Sequence, residues 1–342
     1  MEFTLVSTVY NEAKRLELTI SDLENQSLQP SEIIITDAGS NDGTLKILSD
    51  WKNSSKIPIH IIVEPKCNVA EGRNLAIKAS KYGIIASTDF GCRFDKDWLK
   101  SIIAPFKDNH VMVVGGSFTV KEEEQLTLPA KAAYIINNGY KINVFANNFI
   151  PSSRSIAYKK EVFNKVGGYC EWLTLAADDF VFGREIIANK YSINLVDKPL
   201  VFWGRHNELI LFEKEAFRYG LGDGEAKLDV SSKVKNSIQF LMRRMFFVFF
   251  AICFFVPLNI NIVLIFLFIL SLGFRQYLLY VIKPWIALKS KKYNFKVLLF
   301  SFLLFEKTQF NYLKGYLKGY FSKDSKHITG ARLLAFRLNQ KN

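Results

Sequence analysis

The stretch IITDAGSNDGT, residues 34–44, decides how this chain is read. Ile33, Ile34 and Ile35 run into Thr36, the apolar run stops at Asp37, and a turn of Ala, Gly, Ser, Asn, Asp and Gly follows. A near-continuous β-branched run fits a strand buried on both faces, and the Gly- and Asp-rich segment behind it is turn chemistry. Asp37 therefore stands at the carboxyl end of a buried strand, which is where open parallel sheets bind their ligands.

Working outward, Phe3–Thr8, Ile59–Val63, Ile84–Thr88 and Val111–Val114 have the same strand character. Between them Glu12–Asn25, Thr44–Trp51, Ala70–Lys81 and Lys96–Phe106 carry helical patterns. The alternation predicts an α/β fold, a mostly parallel sheet with flanking helices. Residues 121–150 interrupt it: a charged run, Lys121–Glu124, leads into a polar, aromatic, asparagine-rich stretch, read either as a surface excursion or as a flap on the acceptor side. The rhythm resumes with helices at Lys160–Lys165 and Asp178–Asn189 and a strand at Ile193–Val196.

Charge divides the chain. Residues 1–230 hold 27 Lys+Arg against 30 Asp+Glu, whereas residues 231–342 hold 18 against 2, so the net charge of +13 belongs to the C-terminal third. A nucleic-acid binder would carry its basic patch on the folded domain; here that domain is slightly acidic, and no nucleic-acid partner is expected. The basic residues instead flank two apolar runs, 245–256 and 260–274, separated by Pro257, Asn259 and Asn261. Each run is shorter than the roughly 20 residues of a span. With Arg243, Arg244 and Arg275 at the ends and 276–282 extending the second, a membrane hairpin over about 245–282 is expected, returning its basic flanks 233–244 and 283–296 to one side. Beyond it the apolar run Val297–Phe305 and YLKGYLKGYF (312–321) read as an interfacial segment over about 295–321. The expected organisation is one domain at 1–230 and a basic membrane-anchoring region at 231–342.

Four scattered cysteines, Cys67, Cys92, Cys170 and Cys253, form no CxxC or Cys/His pattern, so a reducing compartment without disulfides is expected. MEFTLVSTVYNE has neither a basic n-region nor a long apolar h-region, so no signal peptide is expected and the catalytic part should stay in the cytoplasm.

Three polar or acidic clusters fall at strand ends: TVYNE (8–12), TDAGSNDGT (36–44) and TDFG (88–91). Asp42 reads as a helix opener; the repeated placement of Asp37 and Asp89 points to ligand binding. Together with GRN (72–74), VGGY (166–169), ADDF (177–180) and FRYGLGDG (217–224), these segments resemble, in order and spacing, the family-2 glycosyltransferases of the Rossmann-like GT-A fold. The resemblance covers about residues 3–224.

It implies transfer of a sugar from a nucleotide-diphosphate-sugar donor to a saccharide or lipid-linked acceptor at the cell surface, with inversion. Thr8, Tyr10 and Glu12 match the first donor loop, Asp37 the residue that reads the nucleobase, and Arg73 the arginine near the nucleotide or diphosphate. Asp89 matches the first aspartate of the Asp-x-Asp metal motif, but Gly91 stands where the second is expected. A divalent metal, Mn²⁺ or Mg²⁺, is still implied by the leaving diphosphate; His206, in GRHN, is a candidate ligand, with a structural role as the alternative. Asp179 matches the general base, Asp178 stands beside it as second candidate or helix cap, and SSRS (152–155) is placed to line the acceptor pocket. Arg218 is assigned to the diphosphate or to lipid headgroups. Single addition at the inner membrane is the expected mode; the alternative is a catalytically impaired membrane partner that keeps the fold, with Gly91 as its support.

Overall fold

In a computed structural model the chain is described over residues 1–142, 149–253, 274–288 and 293–322. In order its elements are β1 (Thr4–Val9), α1 (Ala13–Glu24), β2 (Glu32–Asp37), α2 (Thr44–Ser54), β3 (Ile59–Val63), α3 (Val69–Ala79), β4 (Ile84–Ser87), β5 (Cys92–Phe94), α4 (Trp98–Ile103) and β6 (Val113–Thr119). Then follow α5 (Leu128–Ile136), β7 (Ile156–Lys159), α6 (Lys160–Val166), α7 (Asp178–Ala188), β8 (Ile193–Trp203), α8 (Leu209–Glu225), α9 (Val230–Cys253), α10 (Lys283–Leu288) and α11 (Phe295–Tyr320).

Every residue of β2 is buried, as its isoleucine run requires. Alternate side chains of a strand point to opposite faces, and the two cores follow from this. Ile33 and Ile35 pack with Leu16, Leu23, Trp51 and Trp98 on one side of the sheet; Ile34 packs with Ile77, Phe163 and Phe182 on the other. The eight strands lie in the order β3-β2-β1-β4-β7-β6-β8-β5. β3, β2, β1 and β4 are mutually parallel, β7 runs antiparallel to both neighbours, β8 is parallel to β6, and β5 is antiparallel to β8. The sheet is therefore an α/β mixed sheet, and β5 and β7 are strands that the apolar pattern did not reveal.

Contacts divide the chain into two compact units, Met1–Lys121 with Ile142–Gly204, and Glu122–Lys141 with Arg205–Ser322. All eight strands belong to the first. Residues 205–230, grouped by composition with the catalytic domain, pack with the second unit, as does α5 from the interrupting segment; residues 143–148 of that segment lie outside the described residues.

In the second unit α8 and α11 approach until backbone meets backbone. A β-carbon on Gly220 or Gly224 would collide with the carbonyl oxygens of Tyr312 and Tyr316, and one on Gly315 or Gly319 with those of Phe217 and Leu221. Small residues four apart on each helix permit such an approach. The glycines of FRYGLGDG and YLKGYLKGYF thus build a helix pair, closed further along by Phe212 and Leu304 against Ala132 and Ala133 of α5. No helix among the described residues is long and apolar enough to cross a membrane. The centre of the expected hairpin, residues 254–273, lies outside the described residues.

Candidate active site

The carboxyl ends of β1, β2 and β4 are adjacent, with Val9 opposite Asp37 in the parallel ladder. Asp37 is fully buried. Its Oδ1 accepts from the backbone N–H groups of Gly39 (2.9 Å) and Ser40 (2.8 Å), closing the turn through Gly39 at φ +87°. Its Oδ2 is buried with no hydrogen-bond partner. A buried carboxylate oxygen without a partner is costly unless a ligand supplies a donor. Asp42 stands one residue ahead of Gly43, the N-cap of α2, and ties the two helix starts together: it accepts from Thr44 N and Oγ1 and, through Oδ2, from Ala13 N at the start of α1. Tyr10 is 58% exposed beside this turn, and Thr8 is half-buried.

α3 is brought down onto β1 and β2 by Gly72, where a β-carbon would lie 2.8 Å from Thr8 Cγ2; Thr36 Oγ1 donates to the Gly72 carbonyl (2.8 Å). That approach sends Arg73 into the interior. Its Nη2 donates to Asp89 Oδ1 and its Nη1 to Asp178 Oδ2, while its guanidinium lies 5.3 Å from the centre of the Tyr169 ring. One buried arginine thus joins the two carboxylate stations expected from sequence. Neighbouring Asn74 fixes the VGGY turn, accepting from Tyr169 N (2.9 Å) and donating to Tyr169 O (2.9 Å) and Glu171 Oε1 (2.7 Å).

Asp178 and Asp179 open α7 behind Ala177, a non-glycine residue held at φ +72°. Left-handed backbone at a residue with a β-carbon costs on the order of 1–3 kcal/mol and clusters at functional sites. Here it turns both carboxylates toward Arg73 and Ser152. Ser152 Oγ donates to Asp179 Oδ2 (2.8 Å), and the other oxygen of Asp179 accepts from Phe180 N (2.8 Å). Arg154 approaches Asp89 Oδ2 to 3.6 Å through Nε, donates to Ser152 Oγ through Nη1 (3.0 Å), and sits 4.1 Å from the Trp203 ring centre. Beyond the acceptor-lining place expected of SSRS, Ser152 touches Asp179 and Arg154 pairs with Asp89. A charged residue between serines was the only signal.

Electrostatics separate the carboxylates. Burial opposes ionisation of Asp89, but Arg73 and Arg154 outweigh it and hold the carboxyl below its usual range. Burial pushes Asp178 up to about 6 against the pull of Arg73, with the like charges of Asp179 and Asp89 adding to the rise. Glu12 is pushed up to about 7, chiefly by burial, with Arg15 opposing and Asp42 and Asp89 adding.

His206 and Arg218 belong to the second unit. His206 Nε2 lies 3.9 Å from Glu215 Oε1, its ring edge-on to Phe212; Glu215 is itself held by Arg205 (2.6 Å), and Arg218 is exposed on α8. Among the described residues no group of three or more His, Cys, Asp and Glu side chains is placed to hold a metal ion. Cys67 and Cys92 are free thiols, and Cys170 is buried.

Residues 4–167 match the family described as Glycosyl transferase family 2. Over 228 residues the chain is 27% identical to the O-antigen chain rhamnosyltransferase RfbN of Salmonella typhimurium, covering 64% of this chain and 70% of RfbN. It is 28% identical over 236 residues to the O-antigen chain rhamnosyltransferase WbaN of Salmonella anatum, with the same coverage of 64% and 70%. The solved mannosyltransferase PcManGT of Pyrobaculum calidifontis, in complex with GDP-Man and Mn²⁺, is 15% identical with a TM-score of 0.52, covering 99% of this chain and 87% of that one. That last likeness is one of fold.

Proposed function

We infer that this chain, which carries a family-2 glycosyltransferase domain and is a nucleotide-sugar-dependent glycosyltransferase, adds a single sugar, with inversion, to a saccharide or lipid-linked acceptor at the inner membrane. The observation that carries the reading is Arg73, which ties Asp89 on the donor side to Asp178 beside the base. Donor charge and acceptor proton are then handled across one guanidinium.

In this reading the unpartnered Oδ2 of Asp37 accepts from a nucleobase N–H, and the exposed ring of Tyr10 covers the base. Asp179, oriented by the Ser152 hydroxyl, takes the proton of the acceptor hydroxyl as it attacks the face opposite the leaving diphosphate. A divalent cation, when bound, neutralises charge on that diphosphate. The two Salmonella relatives are rhamnosyltransferases by name, so a deoxyhexose donor heads the candidates and a growing polysaccharide chain the acceptors.

Membrane attachment is part of the same proposal, with the catalytic unit facing the cytoplasm. It is supported by Val234, Ile238, Leu241 and Met245, exposed apolar residues at helical spacing on α9, among Lys233, Lys235 and Arg244. Leu299, Leu303, Phe310 and Leu317 form a comparable exposed row on α11.

The test is transfer from a panel of nucleoside-diphosphate sugars to lipid-linked saccharides, with the anomeric configuration of the product read by NMR. Asp179→Asn should bind donor as the wild type does and transfer ~10²–10⁴-fold more slowly. Retention of configuration, or near wild-type transfer by that variant, overturns the assignment of the base.

A further inference from the structure

A second carboxylate is missing where the Asp-x-Asp pattern would have it, and the structure shows what lies there instead. Gly91 sits at φ +94°, and a β-carbon on it would come within 2.9 Å of Glu12 Oε2 and 3.2 Å of Glu12 Cδ. The space into which a side chain at 91 would start is filled by the carboxylate of Glu12, delivered from the turn after β1. An aspartate at 91 and Glu12 in its present position are two ways of putting a carboxylate in one place, and a side chain at 91 would have to push the end of the Glu12 side chain aside.

Among the described residues no hydrogen bond ties up the Glu12 carboxylate. Glu12 is the residue preceding the first turn of α1, yet its side chain makes no capping hydrogen bond. Its hydrogen bonds among the described residues are those of its backbone, which donates to Thr44 Oγ1 (2.9 Å) and accepts from Arg15 and Leu16, while the carboxylate feels the charge of Arg15. On Asp89, Oδ1 is held by Arg73, whereas among the described residues Oδ2 has the longer ion pair with Arg154 at 3.6 Å. A small divalent cation is commonly held by one or two carboxylates, with substrate phosphates and water completing its shell. The donor set here fits that chemistry without a third protein ligand.

We propose that Glu12 replaces the absent second aspartate and, with Asp89, holds the divalent cation that meets the donor diphosphate. The proposal rests on the reading of the chain as a nucleotide-sugar-dependent transferase.

The test is Mn²⁺ binding to the full chain, followed by electron paramagnetic resonance, with saturating UDP, GDP or dTDP, whichever binds most tightly. Glu12→Gln keeps the shape and removes the charge; it should weaken Mn²⁺ at least ~10-fold, the loss that even an outer-shell partner can cause. The Mn²⁺ loss should exceed any change of nucleotide affinity measured in EDTA, and Glu12→Asp should recover part of the Mn²⁺ binding. Gly91→Ala, which displaces the Glu12 carboxylate without removing it, should weaken Mn²⁺ in the same direction. Equal Mn²⁺ affinity in wild type and Glu12→Gln overturns the role of Glu12 and leaves the transferase reading standing. So does wild-type nucleotide binding that recruits no Mn²⁺. If no nucleoside diphosphate binds at all, both readings fall.

Discussion

Arg73 holds Asp178 in an ion pair whose side chains are 4% and 10% exposed, and the carboxylate is nevertheless pushed up to about 6. Desolvation outweighs attraction because Arg73 is shared with Asp89 and Asp179 adds a like charge. Between the ordinary value of 3.8 and about 6 the folded protein binds the extra proton. The stabilising contribution of this group is therefore full below pH 3.8 and is lost as pH rises through 6. Asp178→Asn mimics the protonated form. Its advantage over the wild type in calorimetric unfolding should grow between pH 5 and 7.5, to at most about 3 kcal/mol for a shift of this size. A variant that loses ground over that interval would show that the ion pair, not desolvation, dominates.

Asp37 has two oxygens with two jobs, and two substitutions separate them. Asp37→Asn keeps an acceptor for Gly39 and Ser40 N–H but turns a donor toward the ligand. Nucleotide affinity should fall by about 1.5–3 kcal/mol, or roughly 10- to 150-fold, with the unfolding midpoint unchanged. Asp37→Ala should lose the same affinity and stability as well. Unaltered nucleotide binding in Asp37→Asn by titration calorimetry would return the residue to the turn alone.

Gly220 and Gly315 have no room for a side chain, so the α8–α11 pair is a stability element of the second unit. Gly220→Leu or Gly315→Leu should lower the unfolding midpoint, overpacking of this kind costing on the order of 1–3 kcal/mol or more. A substitution at Arg218, whose side chain is exposed on α8, should not. Wild-type unfolding in both leucine variants would mean that the helices can separate freely.

Those glycines mark the limit of what the sequence discloses. Ile33–Ile35 announces a buried strand because its pattern is local, and Asp37 and Asp89 follow from the ends of such strands, whereas Asp178, at the start of α7, is reached only through the family resemblance. The pairing of Gly220 with Tyr312 joins segments nearly a hundred residues apart, and no local periodicity encodes it, so FRYGLGDG and YLKGYLKGYF were read for ligand and lipid instead. β7 was missed because Ile156–Lys159 is four residues long and needs neighbours on both sides to be a strand. β8 outran its expected end at Val196 because Pro199 falls in the register shift against β6, where the ladder is already interrupted. The link from Arg73 to both carboxylates was hidden for the same reason as the glycine contact: three segments converge on it.

Membrane attachment carries the last prediction. Two forces are available to the C-terminal region: the attraction of its lysines and arginines to anionic headgroups, and burial of apolar side chains. Salt screens the first and not the second. The full chain should stay in the membrane fraction through a high-salt wash and leave it in detergent. Ile238→Glu with Leu241→Glu, both on the exposed row of α9, should lower the retained fraction without altering nucleotide affinity, since Thr8, Tyr10, Glu12, Asp37, Arg73 and Asp89 all lie in the first unit. A tag after Lys235 should report the cytoplasmic side. Release of the wild-type chain by salt alone would sink apolar insertion and leave a protein held by charge. Retention of the double variant at the wild-type level would move the anchor away from this face of α9.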